Sequence, residues 1–367
     1  MRGTFLPHGD FRVKFVIFLI SFSLFSSLVF GSENIRVVLA DNQRTVVLQS
    51  RSGFVGGQAS GYHDKKMTFR AESVGGQPVR IRALDDSILV NGKIYRGGVE
   101  LRKKKNGLLL VINDLDVEDY LKGVIASEIP HSWKDEALKA QAVAARTYAL
   151  YQKRTAGSRP YHIKATVSDQ VYAGSKGEWS RGARAVQETR GIVLVYGGEI
   201  IPAFFHASCG GHTEDAYELW GIDEPYLHGV DCDCQEISQY GLWEKRIGKM
   251  QVINALQRLG YRVRDILGMA IQGITPAGRV KEVAIQSQQG RTVIPAESLR
   301  AALGNTLIPS VFFELEFEAN EAVFSGRGSG HGVGLCQWGA EEMAEQGSDF
   351  KTILTHYYPG TDLLRLP

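Results

Sequence analysis

Residues 123–150 read GVIASEIPHSWKDEALKAQAVAARTYAL, a pattern of two helices around a proline. Counting back from Glu128, the residues at helical spacing are Ile125, Val124 and Leu121. Apolar residues at that spacing form the buried face of a helix, so a carboxylate stands at the end of an apolar stripe. Asp116 is placed to cap this first helix, with Glu118 and Asp119 in its acidic first turn. Pro130 disfavours helical backbone at the residue before it and ends the helix near Glu128. Ser132, followed three residues later by Asp135, reads as the cap of a second helix over 133–154. Alanine is the best helix former and allows close backbone approach, so this alanine-rich helix belongs at the centre of the fold. Leu138, Ala142, Ala145 and Ala149 line one face, with Gln141 and Arg146 as polar exceptions.

Upstream, residues 35–113 alternate short Val/Ile/Leu-rich runs with Gly, Asn, Asp and Ser, the pattern of an antiparallel β region. Asn91-Gly92 and Asn106-Gly107 are hairpin-turn signals. The run Arg102-Lys103-Lys104-Lys105 beside the second reads as its solvated shoulder. Net charge is +2 over 367 residues, 44% hydrophobic, with acids and bases mixed. No basic stripe marks a nucleic-acid face. At the N-terminus Arg12 and Lys14 precede an uncharged stretch, residues 15–30, and then Gly31-Ser32. A basic flank, an apolar run and small residues describe a secretory signal, with an uncleaved anchor as the alternative. The expected location is therefore the cell envelope outside the cytoplasm, with membrane contact only through that segment if it is uncleaved. Downstream, SDQVYAG and residues 191–213 suggest strands, 248–260 a helix, 279–295 a hairpin, 296–303 a short helix, and 336–345 a helix after a glycine loop.

The glycine loop, GRGSGHGVG at 326–334, resembles a phosphate cradle only in composition. It lacks the Gly-Lys-Ser/Thr ending of a Walker loop and the spacing of a dinucleotide fingerprint. Alternating glycines instead describe backbone that comes close to something, and His331 in their midst is a site candidate. No metalloprotease helix motif or nucleophile elbow occurs, and a thiol protease has no positive local signature here. The four cysteines are Cys209, Cys232, Cys234 and Cys336. Cys209, Cys232 and Cys234 with His206 or His212 suit a structural zinc, and disulfides are the alternative. Cys336 is an alternative fourth thiol. Glu128 carries the sharper chemistry. A carboxyl desolvated on an apolar face has a raised pKa, so it can protonate a leaving oxygen and then take a proton back. That is the general-acid work of glycosidic cleavage. Arg146 or Gln141 is placed to orient it.

Four segments give the chain a resemblance to the SpoIID/LytB family of exported bacterial cell-wall proteins. They are NDLDVEDYLKGVIASEIPHSWKDEALKAQAVAARTYAL, SDQVYAG, AFFHASCGGHTEDAYELWG and GRGSGHGVGLCQWGAEEMAEQG, with ILTHYYPGT near the end. The resemblance spans residues 113–367. It implies a lytic transglycosylase that cleaves the MurNAc–GlcNAc bond of peptidoglycan glycan strands and leaves 1,6-anhydroMurNAc ends, with no required cofactor. The family's catalytic glutamate falls on Glu128. Its other motifs place Arg146, His331 and Gln337, with Tyr172 a weaker match, along the substrate groove. Some relatives bind zinc through cysteines and a histidine before Gln-Val-Tyr. Here that stretch, YHIKATVSDQVYAG, keeps His162 and has no cysteine, so that site is not transferred.

Two other readings compete. One is a non-catalytic peptidoglycan-binding enhancer of a cell-wall amidase. The other is a hydrolase using Glu128 with a helper such as Asp169 or Asp215. The expected fold is α+β: a signal peptide (1–31), a β-rich region (32–113), a catalytic core (114–231), an inserted lobe (232–319), and the glycine loop and C-terminal helix (320–367).

Overall fold

A computed structural model describes residues 33–56, 65–166, 169–175, 178, 180–318 and 320–367. The expected signal segment lies outside them. The fold is α+β. Strands β1 (Asn34–Gln43), β2 (Thr45–Gln49), β3 (Phe54–Gly56), β4 (Lys66–Arg70), β5 (Val79–Val90), β6 (Lys93–Lys103), β7 (Leu109–Asp116) and β8 (Ile163–Lys164) make one sheet. Its order is β4-β2-β5-β6-β7-β1-β8, with β3 on β5, and only β8 runs parallel to its neighbour. The β5–β6 turn has Asn91 and Gly92 at φ 49° and 85°, the backbone that Asn-Gly favours. In the basic run, Lys104 pairs with Asp41 at 2.7 Å and Arg102 pairs with Glu100.

Strand β7 feeds directly into α1 (Val117–Glu128), where Asp116 accepts a hydrogen bond from the Glu118 N–H at 2.8 Å. The face bearing Tyr120, Leu121, Val124 and Ile125 is fully buried. Ile129 turns extended (φ −129°) before Pro130, which leaves Glu128 as the last helical residue. Helix α2 (Asp135–Thr155) differs from expectation at its start, because Ser132 does not cap it. Its cap is tertiary: the Lys134 N–H donates to Glu341 at 2.8 Å, while Asp135 is held by Arg181 and Arg184 of α3 (Ser180–Glu188). Three long-range partners replace the local capping box. Ala142, Ala145 and Ala149 face the core shared with α1 and the sheet, whereas Ala140, Val143 and Ala144 face a second core. Small side chains all round let α2 pack on both sides.

SDQVYAG forms no strand over its described residues, 169–174; it runs past the end of α1 as irregular chain. Its backbone donors go to side chains in place of a ladder, Val171 N–H to Glu128 and Ala173 N–H to Ser127 Oγ. Beyond it, β9 (Ile192–Tyr196), β10 (Glu199–Ile200), β11 (Phe205–His206) and α4 (Ala216–Trp220) lead to the lobe. There β12 (Trp243–Gly248), α5 (Lys249–Arg258), β13 (Gly268–Ile274), β14 (Val280–Ser287), β15 (Gly290–Pro295), α6 (Ala296–Leu303), β16 (Phe313–Glu318) and β17 (Glu321–Gly326) build two three-stranded sheets. Their apolar residues, from Ile247 to Phe324, form a separate cluster. Cys232 and Cys234 pack instead in the core behind α2. Strand β17 ends at the glycine loop, which leads into β18 (Leu335–Cys336) and α7 (Gln337–Glu345). The chain closes with α8 (Phe350–Tyr357) and β19 (Asp362–Arg365), which joins β9. No helix among the described residues is long and apolar enough to cross a membrane.

Candidate functional site

Glu128 opens into a cleft of about 330 Å³ between the end of α1 and the glycine loop. Burial raises its carboxyl pKa above the ordinary carboxylate value, opposed by two hydrogen bonds. Oε1 accepts from the Val171 N–H at 2.7 Å, and Oε2 accepts from the Gln337 side-chain amide at 3.5 Å. Both donors orient the carboxyl, and neither is a charge that would hold it ionised. Asp169 lines the same cleft, with Oδ1 accepting from Tyr148 Oη at 3.1 Å and Oδ2 from the Lys164 N–H at 2.8 Å.

The opposite wall is built by the glycine loop on β11. Gly328, Gly330, Gly332 and Gly334 all have positive φ. A Cβ on Gly334 would lie 2.2 Å from the Phe204 carbonyl oxygen, so the loop comes close to protein backbone and not to a phosphate. His331 lines the cleft, but both ring nitrogens are occupied: Nε2 bonds the Phe205 carbonyl at 2.9 Å and Nδ1 accepts from the Val333 N–H at 3.1 Å. Burial pushes its pKa down to about 4, so it stays neutral and serves as a wall. Its ring packs against Trp220 at 5.1 Å, and Trp220 against Phe204 at 4.7 Å. Trp220 remains 42% exposed, an aromatic face open to a ligand. Arg300 and Asn305 reach the same cleft from the lobe.

Three expected groove residues lie elsewhere. Arg146 is fully buried and forms a two-pronged ion pair with Glu118 at 2.9 and 2.7 Å. An arginine saturated in this way holds α1 against α2 and does not touch the cleft. Gln141, also on α2, is buried, and its amide has no hydrogen-bond partner among the described residues. Tyr172 is buried against Tyr95 and Tyr120, its hydroxyl donating to Asn113 at 3.2 Å. Asp215 caps α4 and does not line the cleft either. His162 accepts the Arg36 N–H at the β1–β8 edge.

The metal candidates also separate. Cys209, Cys232, Cys234 and Cys336 converge with all four Sγ atoms within 4.8 Å of one another, all buried and none bonded to another. The histidines do not join them. His206 lines the cleft, with Nδ1 on the Val333 carbonyl at 3.1 Å and Nε2 without a partner among the described residues. His212 turns outward to the Thr213 carbonyl and Asp231. Nothing in the sequence signals Arg300 and Asn305, while Tyr148 and Phe204 stand in the quoted segments without having been singled out. Trp220 had a signal, a tryptophan beside Gly221 in a segment already carrying site residues.

Residues 105–196 match the family model described as Stage II sporulation protein, and residues 227–334 match a domain of unknown function (DUF8618). The chain is 37% identical over 281 residues to an uncharacterized protein of Brachyspira hyodysenteriae, covering 76% of this chain and 74% of that one. It is 32% identical to Stage II sporulation protein D of Bacillus amyloliquefaciens, covering 69% of this chain and 75% of that one. It is 30% identical to the Amidase enhancer of Bacillus subtilis, over 66% of this chain and 40% of that longer protein.

Proposed function

Because this chain belongs to the Stage II sporulation protein D family, we propose that it is an envelope protein that cleaves peptidoglycan glycan strands as a lytic transglycosylase, with Glu128 as its single acid and base. The observation that carries this reading is the Glu128 carboxyl, desolvated at a cleft wall and held by two uncharged donors. Kept protonated, it gives its proton to the glycosidic oxygen between the muramic sugar and N-acetylglucosamine as that bond breaks. The resulting carboxylate then takes the proton from the muramic C6 hydroxyl, whose oxygen attacks the anomeric carbon and closes a 1,6-anhydro ring. No water is consumed, so the water-activating carboxylate of an inverting hydrolase is not required.

Asp169 is the other cleft carboxyl, and both its oxygens already accept hydrogen bonds from protein. That engagement suits a fixed negative charge facing the developing oxocarbenium ion better than a base that must position water. The Trp220, Phe204 and His331 surface supplies the apolar platform that a pyranose face stacks on. Digestion of peptide-stripped glycan strands tests the reaction class by mass spectrometry. Muropeptide-free fragments lighter by one water than reducing ends support it, and reducing muramic ends would indicate a hydrolase.

A second reading rests on the relative named Amidase enhancer: a peptidoglycan-binding activator of a cell-wall amidase. No cleavage of any strand, with stimulation of an added amidase, would establish it.

A further inference from the structure

We propose that Cys209, Cys232, Cys234 and Cys336 bind one zinc ion tetrahedrally, and that this ion fixes the cleft wall that carries Gln337. Four thiolates around zinc at about 2.3 Å stand roughly 3.8 Å apart, and these four Sγ atoms all lie within 4.8 Å of one another. A disulfide needs about 2.0 Å between sulfurs, whereas Cys209 and Cys234 are 3.4 Å apart.

The surroundings suit thiolates. The Cys209 and Gly339 N–H groups both donate to Cys336 Sγ at 3.3 Å. Tyr357 Oη lies 3.2 Å from Cys232 Sγ, and Ser208 Oγ lies 3.6 Å from Cys234 Sγ. Donors turned on sulfur offset the charge of a four-thiolate site and orient its ligands. Space has been kept as well: a Cβ on Gly339 would lie 2.4 Å from Cys232 Sγ and 2.0 Å from Tyr357 Oη. A closed, all-sulfur set leaves no position for water or substrate, so the ion is structural.

Its placement gives it a second consequence. Cys336 is also the N-cap of α7, and the next residue, Gln337, donates to Glu128. The ion therefore joins the turn after β11, the segment before the lobe, and the start of α7, segments up to 127 residues apart. This inference holds whatever reaction the cleft performs.

The test uses the purified full chain. Elemental analysis should give one zinc per chain, and titration with a mercurial should release it as four thiols react. Cobalt exchanged into the site should show the sulfur-to-metal charge transfer and strong visible bands of a tetrahedral thiolate complex. Cys234→Ser should lower zinc content at least tenfold; if that variant fails to fold, the wild-type metal and thiol counts decide alone. A chain with less than about one tenth equivalent of zinc, or with two disulfides in a non-reducing peptide map, overturns the proposal. Hydrogen exchange over residues 335–345 should quicken when the metal is stripped, and unchanged exchange there would refute the link to the cleft wall.

Discussion

Arg146 decides between a structural and a substrate-binding arginine, and its replacement by methionine separates the two. The guanidinium makes two bonds to Glu118, at 2.9 and 2.7 Å, and reaches the carbonyls of Ile192 at 3.1 Å and Val186 at 3.2 Å. Among the described residues, Arg146→Met leaves the buried Glu118 carboxylate with the Gly191 N–H, at 3.2 Å, as its remaining polar contact. Breaking one side of a buried pair costs about 3–5 kcal/mol. For a chain of this size that is a Tm loss on the order of 10 °C. Thermal unfolding by circular dichroism measures it, and glycan cleavage assayed well below the lowered Tm measures the site. The account predicts a large Tm loss with near-normal KM, and partial recovery of Tm when Glu118→Gln is added. An unchanged Tm with KM raised tenfold or more would refute the burial assignment and return Arg146 to the groove.

Three further outcomes follow from the cleft. Glu128 has a raised folded pKa, so its carboxyl disfavours the fold as pH rises from the unfolded value through the folded one; below that window the penalty is absent. Glu128→Gln should therefore flatten the decline in stability across that window and unfold no earlier than wild type at neutral pH, as denaturant melts at several pH values would show. Gln337→Leu removes a donor that favours the carboxylate; the alkaline limb of the pH–rate profile should move upward, and an unmoved limb would mean the amide does not act on Glu128. Trp220→Ala should raise KM about 2- to 10-fold, the worth of an aromatic contact of roughly 0.5–1.5 kcal/mol. Because that ring is 42% exposed, Tm should change little.

Local pattern carried the legible part of this protein. The Leu121–Val124–Ile125–Glu128 stripe, the Asp116 cap and the stop at Pro130 are all contained within fifteen residues, and the structure reproduces each of them. The alanine-rich composition of α2 likewise announced a helix at the centre of the fold, and in the structure it packs into two cores. What failed depended on distant partners. A polar residue on an apolar helix face can meet a ligand or a buried counter-charge, and nothing beside Arg146 shows that Glu118 is 28 positions away in sequence and in contact in space. The Ser132 capping box lost to Glu341, more than two hundred residues downstream. Among the thiols, His206 and His212 are near Cys209 in sequence, yet the fourth sulfur to converge is Cys336, 127 residues away, brought there by the parallel β11–β18 pairing.

The most direct measurement compares wild type with Glu128→Gln on the same peptide-stripped glycan strands, counting 1,6-anhydroMurNAc ends over time. Loss of at least a thousandfold in their rate of appearance, with the variant still folded and still bound to the strands, is the predicted result. Anhydro ends formed at comparable rates by both proteins would contradict the assignment of acid and base to Glu128.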